Sequence, residues 1–329
     1  MLNGLYVMDL ARFPDVYGGD ERAAIEKHLR ITAPPLTPAE LTPDLLADVD
    51  VLVTSWGGPQ LTAELLAAAP RLQLVLYGAG SVRSIVTAES WARGVRVTTA
   101  NEVIAASVAE FTLAQVLYAL KHGWRYVLGS RARSESLPRA SDEPGANGSV
   151  VGLMSLGATG RATARLLGRH ELVLQAYDPY VDPAVASALG VRLVSLEELF
   201  ATSDVVSLHA PVLPATRKVV GTELLRSMKH DATLINTARG ALIDEDALIA
   251  VLRERADLFA VLDVTDPEPP LPGSPLFTLP NVVVTPHLAG TLNTERRRHG
   301  RLMADELARY VAGEPLRHEV FEAGQARSA

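Results

Sequence analysis

Val150-Val151-Gly152-Leu153-Met154-Ser155-Leu156-Gly157-Ala158-Thr159-Gly160 is the stretch on which the fold turns. Val150–Met154 is an unbroken apolar run with no polar alternation, as expected of a strand covered on both faces. A turn carrying Gly157 and Gly160 follows, and residues 161–168 then show helical patterning. A strand, a tight turn and a helix start present several backbone N–H groups together, which suits a pyrophosphate. Eighteen residues beyond Gly160, Asp178 stands at the end of the next apolar run, in Tyr177-Asp178-Pro179-Tyr180. A carboxylate there accepts hydrogen bonds from ribose hydroxyls and repels a 2′-phosphate, so NAD is favoured over NADP. The fingerprint GxGxxG reads SxGxxG, because Ser155 occupies its first position. That serine implies a slightly different loop, and glycines that merely let a helix approach a strand would read the same way.

The alternation of strand and helix extends both ways from this stretch. Downstream, strands are expected at 172–177, 191–194, 205–209, 233–236, 259–263 and 282–285, with helices at 196–201, 222–228 and 244–253. Upstream, strands fall at 5–10, 49–54, 72–76 and 95–98, with helices at 21–29 and 63–69. A long helix covers 102–118, and 130–149, rich in Arg, Ser, Pro and Gly, reads as a connector. Residues 293–311 form an amphipathic helix. Such alternation implies parallel sheets in an α/β fold.

With 329 residues, 48% hydrophobic and 21% charged, the chain has material for two globular domains. A net charge of -7 speaks against nucleic acid as the main partner. The absence of cysteine removes disulfides, thiolate metal sites and thiol nucleophiles, and suits the cytoplasm. No leader peptide is evident at residues 1–6, and no metal site is expected. The apolar stretch 103–120 contains Ser107, Glu110, Thr112 and Gln115, so it reads as a buried or interface helix rather than a membrane span.

Three later strands end in reactive side chains: Arg239 in Asn236-Thr237-Ala238-Arg239-Gly240, Glu268 in Asp263-Val264-Thr265-Asp266-Pro267-Glu268-Pro269, and His287 in Thr285-Pro286-His287. Ligands of open α/β sheets bind beyond such carboxyl ends. A guanidinium grips a carboxylate or carbonyl oxygen, and an imidazole moves a proton. A neighbouring carboxylate favours the charged ring. Asp266, two residues before Glu268, competes for that last role. His209, at another strand end, reads as lining the cofactor crevice.

These segments resemble the D-isomer-specific 2-hydroxyacid dehydrogenase family. The resemblance runs through Val108-Ala109-Glu110, the glycine turn, Tyr177-Asp178-Pro179, 203–211, 234–240, 262–269 and Thr285-Pro286-His287-Leu288-Ala289-Gly290. It implies a Rossmann-type doubly wound parallel sheet, the NAD-binding domain at 102–289, inserted into a smaller flavodoxin-like α/β substrate domain at 1–101 and 290–329. It implies an NAD-dependent exchange between a 2-keto acid and a D-2-hydroxy acid, with Arg239, Glu268 and His287 as the catalytic residues. Cofactor contacts are implied for Gly157, Ala158, Thr159, Gly160, Arg161, Asp178, His209, Ala210, Pro211, Thr216, Thr237, Ala238, Asp263 and Gly290, with Asp263 near the nicotinamide carboxamide. Substrate contacts are implied for Trp56 and for the loop Tyr77-Gly78-Ala79-Gly80-Ser81-Val82-Arg83, whose N–H groups would hold a carboxylate. Many members carry Asp-Asn where this chain has Val82-Arg83, so Arg83 is either a second anion anchor, suited to a phosphate or phosphonate, or half of a local salt bridge. Trp56 either narrows the pocket or caps the sheet. A homodimer built on the nucleotide domain is implied as well. The competing expectation, kept open by Ser155, is a catalytically silent NAD-binding scaffold of the corepressor type.

Overall fold

The computed structural model describes residues 1–139 and 145–325. It divides into two compact units, Met1–Ile104 with Thr291–Ala329, and Ala105–Gly290.

In the first unit, β1 (Leu2–Val7), β2 (Leu29–Ile31), β3 (Val51–Thr54), β4 (Leu74–Tyr77) and β5 (Arg96–Thr99) form a parallel sheet in the order β5-β4-β3-β1-β2. This is the flavodoxin-like order. A short strand, Glu319–Val320, pairs antiparallel with β5 at the edge. Successive side chains point to opposite faces. Leu5, Val7, Leu52, Val75 and Val97 therefore build one core. Tyr6, Val51, Val53, Leu74 and Leu76 build the other, against Met303 and Leu307 of the helix Arg297–Val311. That helix buries His299, Gly300, Met303, Ala304, Glu306 and Leu307, the three-and-four spacing of one helical face.

In the second unit, β6 (Val150–Met154), β7 (Val173–Tyr177), β8 (Val191–Leu193), β9 (Val205–Leu208), β10 (Thr233–Asn236), β11 (Phe259–Leu262) and β12 (Val282–Val284) form one parallel sheet. The order is β12-β11-β10-β9-β6-β7-β8. This is the doubly wound Rossmann order, with its switch point between β6 and β9. Val151, Leu153, Ile235 and Val261 pack on one face. Met154, Val206, Leu234 and Leu262 pack on the other. Helices on both faces explain why the strands are mostly apolar.

Three expectations need correction. The helix expected at 21–29 ends at Glu26, because Leu29 joins the sheet opposite Leu2 as β2. The expected connector 130–149 begins inside a helix, Gly123–Arg133. Trp124 and Leu128 seat that helix on the core, and Trp124 Nε1 donates to Gln115 Oε1 at 2.9 Å. Residues 140–144 of the connector lie outside the described residues, as do 326–329 of the C-terminal segment. The expected helix 293–311 opens as a 3-10 turn, Asn293–Arg296, before becoming α-helical at Arg297.

The helix Asn101–Ala119 is long and apolar enough, by length and composition, to cross a membrane. Its Ala105, Val108, Ala109, Thr112, Val116 and Ala119 are buried, and Thr112 Oγ1 lies 3.1 Å from Thr237 Oγ1.

Candidate active site

Beyond the carboxyl ends of β10, β11 and β12, three loops are tied to one another before any ligand is considered. Buried Asn236 closes the first, its Nδ2 donating to Arg239 O (2.9 Å) and its Oδ1 accepting from Ala238 N (3.0 Å). This turn projects the exposed Arg239 side chain, whose Nη1 donates to Ala238 O. The next residue, Gly240, lies hard against the second loop: a Cβ there would sit 2.0 Å from the carbonyl carbon of Thr265.

The third loop hangs on Asp263. Its buried carboxylate accepts from Thr285 Oγ1 (2.5 Å), Leu288 N (2.9 Å) and Ala289 N (2.9 Å). The loop between those donors carries His287, which adopts a positive φ of 52°. His287 Nδ1 meets Glu268 Oε1 at 2.5 Å. That contact leaves Nε2 as the ring nitrogen free to face a reactant. Of the two carboxylates in this loop, Glu268 is therefore the one brought to the imidazole, while Asp266 pairs with Arg217 at 3.6 Å. A cavity of about 460 Å³ borders the pair, lined by Asp263, Thr265, Glu268, Phe277 and His287 among others.

The glycine turn forms a second locus in the same unit. Gly157 is the N-cap of the helix Ala158–Leu167, and no side chain caps that end. The N–H groups of Ala158, Thr159 and Gly160 are thus available to an anion. Gly160 permits the turn, since a Cβ there would fall 2.1 Å from Ser155 O. Gly157 faces open space, with nothing closer to such a Cβ than Ser155 Oγ at 3.9 Å. An uncapped helix start, open space above it and a carboxylate at Asp178 fit a dinucleotide. Arg161 lies half-buried in the first turn of that helix.

At the switch point, Ala210 is buried beside His209, and Thr216 folds back on Pro211 O at 2.6 Å. Thr237 is buried, and Ala238 and Gly290 are half-buried. His209 is 8% exposed, and neither ring nitrogen has a hydrogen-bond partner among the described residues. Burial pushes its imidazole down to about 4, against an ordinary value near 6.5. Between those values the unfolded chain binds a proton that the folded chain refuses, so stability falls as pH drops from about 6.5 towards 4. Over the full window this amounts to about 3 kcal/mol. Urea denaturation at pH 6.5, 5.5 and 4.5 should show that loss in the native protein and a flatter profile in His209→Phe. Equal slopes would remove His209 from the acid response.

In the first unit, the structure corrects one expectation about the loop after β4. The Gly78 N–H is donated to Thr54 O at 2.8 Å, so it is not offered to a substrate. The Gly78 carbonyl accepts from Ser55 Oγ (2.7 Å) and pairs with His299 Nδ1 (3.0 Å). Buried Ala79 and half-buried Gly80 follow. His299 was not singled out in the sequence, where it sits within a run of arginines. It is fully buried, bonds Thr291 Oγ1 through Nε2 at 2.9 Å, and is held below its ordinary pKa chiefly by burial. Trp56 lies with its ring 5.3 Å from that of His299, and the Arg12 and Arg296 guanidinium carbons stand 5.6 and 5.9 Å from its centre. Arg83 is exposed on a 3-10 turn, Val82–Ser84, with no carboxylate partner among the described residues. The local salt bridge weighed for Arg83 is absent there.

Residues 113–289 match the D-isomer specific 2-hydroxyacid dehydrogenase family, NAD binding domain. The chain belongs to that family, and NAD is its cofactor. It is 33% identical over 298 residues to a glyoxylate reductase of Korarchaeum cryptofilum, covering 88% of this chain and 89% of that one. It is 32% identical over 280 residues to a D-3-phosphoglycerate dehydrogenase of Methanocaldococcus jannaschii, covering 85% of this chain and 53% of that one. The chain thus spans about half the length of that phosphoglycerate dehydrogenase. Among solved structures, a phosphoglycerate oxidoreductase from Rhizobium etli superposes with a TM-score of 0.83 at 22% identity, over 98% of this chain and 99% of the other, a likeness of fold.

Proposed function

We propose that the protein is an NAD-dependent D-2-hydroxyacid dehydrogenase working as a 2-keto acid reductase. The observation that carries the reading is the His287–Glu268 pair, 2.5 Å apart, on a loop pinned by Asp263. When bound, NADH supplies the hydride from nicotinamide C4. Ala158, Thr159 and Gly160 hold the pyrophosphate through their N–H groups, and Asp178 takes the adenosine ribose. Arg239 binds the substrate carboxylate and the carbonyl oxygen, polarising the carbon that is reduced. His287 gives its Nε2 proton to the developing alkoxide, and takes the hydroxyl proton in the reverse direction. Glu268 holds the ring with Nδ1 protonated, so that Nε2 faces the reactant. Ala79 and Gly80 supply N–H groups to the substrate carboxylate, and Trp56 shapes the space beside it. Arg83, exposed and without a carboxylate partner among the described residues, suits a second anionic group on the substrate, a phosphate or phosphonate. The protein assembles as a homodimer through the nucleotide-binding unit, including the apolar helix Asn101–Ala119.

The test is NADH consumption by the purified protein against glyoxylate, pyruvate, hydroxypyruvate, phosphohydroxypyruvate and phosphonopyruvate. Turnover is expected, and Arg83→Ala should lose any preference for the doubly anionic members without changing glyoxylate kinetics. Unchanged selectivity in Arg83→Ala would remove the second anion from the proposal. No turnover on any substrate, with NADH still bound, would favour the silent scaffold.

A further inference from the structure

The glycine turn and the ribose carboxylate are one hydrogen-bonded unit in this chain, and the residue that joins them is the one that departs from the fingerprint. Ser155 has φ 84°, a left-handed conformation usually left to glycine. Its N–H donates to Tyr177 O at 2.8 Å, which holds it against the end of β7. Its hydroxyl donates to Asp178 Oδ2 at 3.1 Å, and Leu156 N donates to the same oxygen at 2.8 Å. Asp178 Oδ1 accepts from Tyr180 N at 2.9 Å.

An ionised carboxylate offers about four acceptor positions, and among the described residues three of them are filled. A glycine at position 155 would adopt the same backbone with less strain but would contribute no hydroxyl. The side chain therefore does something that the turn itself does not require. We infer that Ser155 is a positioning residue for Asp178: its hydroxyl fixes the carboxylate's rotation, so that the remaining acceptor position meets the adenosine ribose and the negative charge stays where a 2′-phosphate would have to sit. Selection of NADH over NADPH is then built into the glycine turn and does not depend on Asp178 alone. The inference rests on the assignment of Asp178 to the ribose.

The test compares binding rather than turnover. Dissociation constants of NADH and of NADPH are measured by fluorescence titration for the native protein, Ser155→Gly, Ser155→Ala and Asp178→Ala, together with the melting temperature of each. Ser155→Gly is expected to melt at or above the native temperature, since glycine accepts the positive φ. Its preference for NADH over NADPH is expected to fall roughly fivefold to tenfold, the scale of one ordinary intramolecular hydrogen bond. Ser155→Ala should show the same loss of preference with a lower melting temperature, because alanine keeps the strained backbone without the hydroxyl. Asp178→Ala should lose most of the preference. If Asp178→Ala loses it while both serine variants keep the native ratio, the inference about Ser155 is overturned and the ribose assignment stands. If Asp178→Ala also keeps the native ratio, the ribose assignment fails and the inference fails with it.

Discussion

Replacing His287 by Gln is expected to lower kcat for keto acid reduction by roughly a hundredfold to ten-thousandfold, the usual contribution of a positioned proton donor. NADH binding should be unaffected. His287 reaches its position through a φ of 52° and through N–H bonds to Asp263 O and Thr285 O, both 3.0 Å, so the backbone and not the imidazole sets the loop. A glutamine there leaves the loop in place and removes only the group that gives up a proton. Glu268→Gln isolates the other half of the pair. It keeps a group able to accept from Nδ1 but removes the charge, and a smaller loss in kcat is expected with KM little changed. The two changes together should cost little more than His287→Gln alone, because both act through the same imidazole. Reduction consumes a proton, so raising the pH should draw the equilibrium from the hydroxy acid towards the keto acid. Steady-state kinetics in both directions with a turned-over substrate would check this. Undiminished kcat in His287→Gln would place the proton donor elsewhere.

The second large effect is expected from a residue that touches no reactant. Gly240→Ala puts a Cβ 2.0 Å from the Thr265 carbonyl carbon and 2.1 Å from its oxygen. Both are backbone atoms, so no side chain can rotate away, and one loop must retreat. Overpacking of this kind costs about 1–3 kcal/mol, and somewhat more against backbone. For a unit of this size that lowers the melting temperature by several degrees, at about 2–4 °C per kcal/mol. The retreat also moves Arg239 away from the loop that carries Glu268, so kcat/KM should fall by more than the stability loss predicts. Thermal melting combined with kinetics at a temperature where the variant is fully folded would separate the two effects. A variant with native melting and native KM would show that the loops are not in fact held together at Gly240.

Much of this site could be read from the order of residues. Val150–Met154 and Thr233–Asn236 were expected at the bounds the structure shows, because a strand covered on both faces has an apolar centre and is closed off by its turn. The same logic placed Arg239 and His287 just past strands. The helix Gly123–Arg133 escaped notice because its Arg, Ser and Gly content hides the few contacts, chiefly Trp124 and Leu128, that seat it. The three-residue strand β2 escaped because it is defined by pairing with β1 and has too short a pattern of its own.

The sequence by itself determined the kind and order of most of the elements, and hence that a guanidinium, an imidazole and the Asp178 carboxylate stand at carboxyl ends of a parallel sheet. These properties depend on local period and composition, which neighbouring residues carry. Only the tertiary structure decided that Glu268 and not Asp266 meets His287, that the Gly78 N–H is taken by Thr54 O, that His299 reaches Gly78 across 221 residues of chain, and that Ser155 is bonded to Asp178. Each of those is a hydrogen bond whose partner is chosen by loop dihedral angles and by contacts between distant segments. Two carboxylates two residues apart are equivalent as letters and become different only when the backbone turns one of them towards the imidazole.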